Sequence, residues 1–279
     1  MIFHYLKIAF RNLCKHKTQN IISIIGLAVG LLCFCVCIYC SRFVESTDHC
    51  FANHDRIAEL NLYDGKADRY FSGSPVPLAE ELRTWALGET EAISSVTYPR
   101  ERPYYVELSP EKTLPYELET IEIDTCYNKI FTPEMVAGHW KMASQSLNSV
   151  ILSQSMAIKI FGNAESAIGK HMTLMRRLNT SPESTPKTGG IVYIIQAVMK
   201  DIPLNNSLDF MQNIDMLTVN DSEGLLQSPK RHNMTGANTY VLLSPQTTCT
   251  DLEKQFSKRD YTYTLYDEAY TVTASNMGS

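Results

Sequence analysis

From Ile21 to Ser41 the chain runs for 21 residues without a charged side chain, and Ile21, Ile22, Ile24, Ile25, Leu27, Val29, Leu31, Leu32, Phe34, Val36 and Ile38 fall within that run. At about 1.5 Å per residue, such a helix crosses the ~30 Å hydrocarbon layer of a bilayer. A cleaved signal peptide has a shorter apolar core, roughly 7 to 15 residues, followed by a small-residue cleavage site. Here the run is longer and is followed by Ser41, Arg42, Phe43 and Val44, so an uncleaved transmembrane helix over residues 18–44 is predicted. Upstream, Ile2, Phe3, Leu6, Phe10 and Leu13 recur at helical spacing, with Lys7, Arg11 and Lys15 on the other side. That pattern predicts an amphipathic helix over residues 1–17 lying on the membrane surface.

Residues 45–279 alternate between strand-like and helix-like stretches. Ser74 can cap a helix with Pro75 at its first position, carried on by Leu78, Leu82, Trp85 and Leu87 and stopped by Gly88. Leu118–Asp124 (LETIEID) reads as a half-buried strand, and Ser149–Leu152 as a short β-rich one. Ser153 caps a helix through Met156, Ala157, Ile160 and Phe161 that Gly162 ends. Ile191–Val198 (IVYIIQAV) is the strongest strand, continuous enough to be buried. Thr250–Lys258 is a further short helix, and 179–190 (NTSPESTPKTGG) a loop. This mixed order predicts an α+β body of two lobes.

Charge adds an orientation. The first 44 residues carry Lys7, Arg11, Lys15, Lys17 and Arg42 and no acid, a balance of +5; the remaining 235 carry 20 basic and 30 acidic side chains, a balance of −10. Basic residues concentrated before the span place the N-terminus in the cytoplasm and the body outside it. An acidic body argues against nucleic acid as a partner, because phosphate binding needs a positive face. Within the span, Gly26 and Gly30 form a GxxxG pair, which lets a second helix approach closely. Cys33, Cys35, Cys37 and Cys40 act there as small apolar residues. Of Cys50, Cys126 and Cys249 in the body, an odd number, at most one pair can join within the chain, and sequence does not choose it.

Candidate chemistry is sparse. Gly162, Gly169, Lys170 and His171 fail the phosphate-loop pattern, since six residues separate the glycines, His171 stands where Ser or Thr would hold Mg²⁺, and a helix precedes them. Asp48, His49, Cys50 and His54 have zinc-binding donor types but no matching second pair, and read as a solvated turn after the span. Glu80 with Glu81, and Glu117, Glu119 and Glu122, could serve as acid and base. On an alternating strand, however, Glu117 and Glu119 share one face and Glu122 takes the other, as on a solvated strand edge. No GxSxG, HExxH or CxxC motif occurs. No catalytic, cofactor-binding or metal-ligating residue is therefore assigned.

The order of segments carries more. YLKIAFRNLCKHKTQNIISIIGLAVGL at 5–31 resembles the start of FtsX-like permease subunits of ABC transporters. FANHDRIAEL (51–60), SPVPLAEELRTW (74–85), IEIDTCYNKIFTPEMVAGHW (121–140), SVILSQSMAIKIFGNAESAIGKHMTL (149–174), YIIQAVMKDIPLNNSLDF (193–210) and NTYVLLSP (238–245) resemble, in order, the periplasmic core domain of the MacB-like branch. The resemblance implies an inner-membrane permease with residues 45–279 in the periplasm. It implies two permease subunits, identical or different, of four spans each, and a cytoplasmic ABC-type ATPase that alone binds ATP and Mg²⁺. It also implies contacts with the membrane and with a periplasmic adaptor or lipoprotein, transport for export or efflux, and no active site in the permease. Three further spans are expected beyond Ser279, which makes this sequence the first part of a longer permease rather than a degenerate single-span product. A single-span anchored binding or sensory module is the alternative function. Genuine hydrolase chemistry is the weakest reading, because no nucleophile, base and orienting group are visible.

Overall fold

A computed structural model describes residues 4–5, 11, 17–71, 73–109, 112–174, 190–208, 211, 213–219, 224–226, 235–265 and 268–277. The chain forms two units, Met1–Thr47 and Asp48–Ser279.

The first unit is dominated by helix α1, Lys17–Glu45, 29 residues long, with no residue buried. It is long and apolar enough to cross a membrane. Its C-terminus is closed locally: Ser46 N donates to Arg42 O, Thr47 N to Val44 O, and Ser46 Oγ to Phe43 O. The amphipathic helix expected over residues 1–17 lies outside the described residues except at His4, Tyr5, Arg11 and Lys17.

The second unit is a mixed α/β body built on 14 strands: β1 Ile57–Asp64, β2 Arg69–Phe71, β3 Ser74–Pro75, β4 Thr90–Thr97, β5 Arg100–Ser109, β6 Lys112–Ile123, β7 Met135–Gly138, β8 Ser149–Ser153, β9 His171–Leu174, β10 Val192–Met199, β11 Met216–Val219, β12 Thr235–Leu243, β13 Thr262–Leu265 and β14 Glu268–Asn276. Its helices are α2 Leu78–Thr84, α3 Tyr127–Phe131, α4 Trp140–Gln145, α5 Gln154–Phe161 and α6 Cys249–Lys258. Hydrogen-bonded neighbours run β11-β8-β10-β9-β5-β6-β4-β12-β1-β14-β13. Because β11 also pairs with β6, in parallel and in register from Met216 with Thr120 to Val219 with Ile123, the strands β6-β5-β9-β10-β8-β11 close into a small barrel.

Three cores follow. Tyr104, Val106, Leu118, Val150, Leu152, Met172, Tyr193, Ile195 and Met216 fill the barrel core, to which α5 adds Met156, Ala157 and Ile160. At the other end of the sheet, α2 and α6 lie over Leu60, Leu62, Ile93, Val241 and Val272 through Leu78, Leu82, Leu252 and Phe256. Between them a shared core joins the barrel's outer wall (Ile121, Ile123, Ile151, Leu217, Val219) to the other face of β1, β4 and β12 (Ile57, Val96, Tyr240, Leu242), with Tyr127, Ile130 and Phe131 of α3 wedged in. Strand β10 serves two of these cores. Tyr193 and Ile195 face the barrel, a register shift follows Ile195, and Ala197 and Met199 then face the shared core. A bulge of this kind changes which face a residue lines.

Two local expectations meet the structure differently. Ser153 Oγ accepts from Met156 N, and Gly162 ends α5 at φ +85°, a left-handed value that costs glycine nothing. Ser74, by contrast, does not cap a helix. Ser74 and Pro75 pair with β12, and the Ser74 hydroxyl meets Thr239 Oγ1 at 2.6 Å and Ala237 O at 3.3 Å, so α2 begins only at Leu78. The buried hydroxyl is satisfied across the sheet, which overrides the local capping preference.

Candidate functional site

Two parts of the body stand out: the joint at which barrel and remaining sheet meet, and its first residues. At the joint, the β4–β6 register is one pair, Val96 with Ile123, and the residues on either side of it supply side-chain bonds. Glu122 N donates to Thr97 Oγ1 at 2.8 Å. Asp124 gathers four donors: Ser94 Oγ at 2.7 Å and Cys126 N at 2.9 Å on Oδ1, Ser95 N and Arg83 Nη2, each at 3.0 Å, on Oδ2. Charge-assisted bonds of this type are roughly twice as strong as neutral ones, so one carboxylate ties β4, α2 and the start of α3 together.

Glu122 departs from its expected place on a solvated edge, being only 7% exposed. Its carboxylate accepts from Leu225 N at 2.6 Å and Leu226 N at 2.9 Å. A Cβ at Gly224 would fall on that carboxylate. Leu225 meanwhile packs with Val76 and Ala237 in a small satellite core. The reason is that β6 is a wall with core on both sides, Leu118 toward the barrel and Ile121 and Ile123 toward the shared core. Glu117 stays exposed and Glu119 half-buried; Glu119 N donates to Asp215 Oδ2, and burial pushes the Asp215 carboxyl up. The carboxylates of Glu122 and Asp215 bind backbone amides, and Glu117, Glu119 and Glu122 do not converge as an acid–base pair. Glu80 and Glu81 lie in the first turn of α2.

The body begins at Asp48, with a positive φ of 65°. Asp48 N donates to Asn205 O at 3.1 Å, and Ser207 N donates to Asp48 Oδ1 at 2.7 Å. Phe51 packs edge-on against Phe131 at 5.2 Å, Asn53 Nδ2 donates to Lys129 O at 3.3 Å, and Arg56 Nη1 donates to Glu91 Oε1 and Leu243 O. Residues 48–56 therefore form a strap tied to the 200–208 loop, to α3 and to the sheet. The His49 and His54 rings lie 4.5 Å apart, while burial, then Asp48, pushes the Cys50 thiol up. Among the described residues no three His, Cys, Asp or Glu side chains are grouped to hold a metal ion.

The remaining flagged positions are fold determinants or surface. Gly169 has φ +76°; its N–H donates to Ile195 O at 2.8 Å and Ile195 N donates to Lys170 O at 3.0 Å, so the turn clips onto β10. His171 stands 3.8 Å from Glu107. Cys50, Cys126 and Cys249 are all free thiols. A Cβ on Gly26 or Gly30 meets nothing within 4 Å. The joint and the strap are what sequence reasoning missed.

The fold has known counterparts. A domain described as belonging to a permease protein from Porphyromonas gingivalis matches with a TM-score of 0.59 at 20% identity, over 82% of this chain and 93% of that one. The periplasmic region of MacB from Actinobacillus actinomycetemcomitans matches with a TM-score of 0.50 at 13% identity, over 84% and 93%. The body has the MacB-like periplasmic core fold. The extracellular domain of the noncanonic ABC-type transporter YknZ from Gram-positive bacteria aligns over 79% of this chain and all of that one, at 13% identity and a TM-score of 0.42. Comparison with models of protein families finds no match, and neither does comparison with curated proteins. In this MacB-like body the joint links barrel to sheet, and the strap follows directly on the apolar helix.

Proposed function

We propose that the chain is the N-terminal part of an ABC transporter permease of the MacB/FtsX type, whose periplasmic body moves when a partner ATPase hydrolyses ATP in the cytoplasm. One observation carries this reading: a helix fit to cross a membrane leads, within three residues, into a body of MacB-like periplasmic core fold. The N-terminus would be cytoplasmic, the body periplasmic and the bilayer the inner membrane. Barrel and sheet would be the two lobes, meeting at the single Val96–Ile123 pair. The shared core restrains that joint and favours lobes that tilt as units over lobes that unfold at it. ATP and Mg²⁺ would belong to the ATPase. This chain would supply no catalytic group and would work mechanically in export or efflux, beside a second permease subunit and a periplasmic adaptor or lipoprotein.

The Gly26–Gly30 face would seat a neighbouring transmembrane helix. The test is cross-linking in native membranes with a candidate ABC-type ATPase of the same organism co-expressed. ATP-dependent cross-links from residues 1–17 to that ATPase are expected, together with permease–permease cross-links that Gly30→Leu weakens severalfold. A chain that reaches the membrane yet never cross-links to an ATPase would overturn the transport reading.

A further inference from the structure

The loop after β10 holds an apolar side chain away from every core. Leu204 is 64% exposed, although the turn around it is firmly built. Asn206 Nδ2 donates to Pro203 O at 2.6 Å, and Leu208 N donates to Asn206 Oδ1 at 2.9 Å. Asp48 clasps the same turn through Asn205 O and Ser207 N. The two charges within residues 200–208 are engaged on the body: Lys200 Nζ reaches Glu134 Oε2 at 2.9 Å, and Asp201 Oδ1 accepts from Ser155 N at 3.0 Å. What flanks Leu204 is thus uncharged: Ile202, Pro203, Asn205, Asn206 and Ser207.

A lone exposed leucine is ordinary on a protein surface. This one differs in its tether. Its clasp, Asp48, is three residues past Glu45, the last residue of the apolar helix, and three extended residues reach only about 10 Å. A helix of 29 residues is about 43 Å long, comparable to a bilayer including its headgroup regions. Covalent continuity therefore keeps the rigid Pro203–Leu204–Asn205 turn close to the headgroups, where an apolar tip between amide groups can be buried.

We propose that Leu204 is a membrane foot, inserting into the headgroup region of the bilayer that the helix crosses and holding this end of the body to the lipid surface. The proposal rests on the membrane reading of Lys17–Glu45. Its test uses the full chain carrying Leu204→Trp, reconstituted into phosphatidylcholine vesicles with ordinary or brominated acyl chains. The parent's Trp85 and Trp140 are subtracted, and circular dichroism checks folding. The control is Leu147→Trp, 67% exposed beside Asn148, whose carbonyl accepts from Ile194 N near the opposite end of β10. At least a twofold loss of the added emission in brominated vesicles is expected for Leu204→Trp, and none for Leu147→Trp. Alkaline extraction of the same vesicles separates the two possible failures. Release of the chain by alkali overturns the membrane reading itself. Retention without quenching at position 204, or with equal quenching at both positions, overturns the foot alone.

Discussion

Helix α1 and strand β10 are both long apolar runs, yet in this chain the first turns its side chains outward on all sides while the second hands them to two cores, Tyr193 and Ile195 before its bulge to one and Ala197 and Met199 after it to the other. The difference lies in the backbone. A helix satisfies its own N–H and C=O groups, so its apolar faces can be left to lipid. A strand has no such independence: β10 draws its partners from β8, β9 and β7 and must sit inside the body to find them. Apolar content alone therefore does not say where a segment goes.

The comparison breaks most widely when the same atoms are deleted on both sides. Ile195→Ala empties the barrel interior and should cost about 2–5 kcal/mol of the body's unfolding free energy. Leu31→Ala should leave that value within about 0.5 kcal/mol, because Leu31 is 55% exposed on α1 and leaves no core cavity when truncated. Denaturant titration in detergent reads both. The dependence of β10 on its neighbours is probed next by Gly138→Ala. Gly138 has φ +70°, and its Cβ would collide with Gln196 O beside the bulge. Strain and clash together should cost about 2–4 kcal/mol, with protection from hydrogen exchange lost first in β7.

A smaller effect is expected at the joint, where Glu122→Ala strands one buried and one half-buried amide and should cost about 1–3 kcal/mol. Glu122→Gln should recover part of this, since one amide oxygen still accepts. A loss confined to Glu122→Ala in thermal melts would show the clasp to be structural; no loss in either variant would remove it from the joint.

Glu59 offers the smallest test. Burial pushes its carboxyl up, partly offset by a bond to Tyr240. A raised carboxyl favours the fold while protonated and loses that contribution as pH rises through its folded value. Glu59→Gln should therefore raise the melting temperature by about 1–3 °C at pH 7, with the gain vanishing near pH 4. A gain that grows on acidification would contradict this sign.

Much of the fold was legible from residues alone where the determinants are local. The span shows in its length, α5 in Ser153 and Gly162, and α6 in Leu252 and Phe256 four apart; its start at Cys249 rather than Thr250 is set by a capping box of Thr248 and Asp251 that spacing alone does not show. What escaped is non-local. In LETIEID the apolar positions are 118, 121 and 123, which do not keep a strict alternation. That break in phase is the trace of a strand with core on both faces, and it was available as a warning about Glu122. The bulge after Ile195 and the Ser74–Thr239 bond left no such trace, since each depends on a partner strand far along the chain. The strap was legible only as a polar turn, because its bonds run to residues 200–208, on which it has no local bearing. The order of segments pointed to the fold where individual motifs did not.

The four residues of β11 have a further consequence, for the timing of synthesis. Met216 must pair with Thr120, almost a hundred positions earlier. At ribosomal rates of about 5–20 residues per second, β6 waits roughly 5–20 seconds for this partner. Until β11 is made, β6, and β8 once it has been made, offer bare edges to any neighbouring strand. The nascent chain, more than the finished protein, is thus the form most in need of a chaperone, and a stop anywhere before residue 216 would leave a ring that can never close.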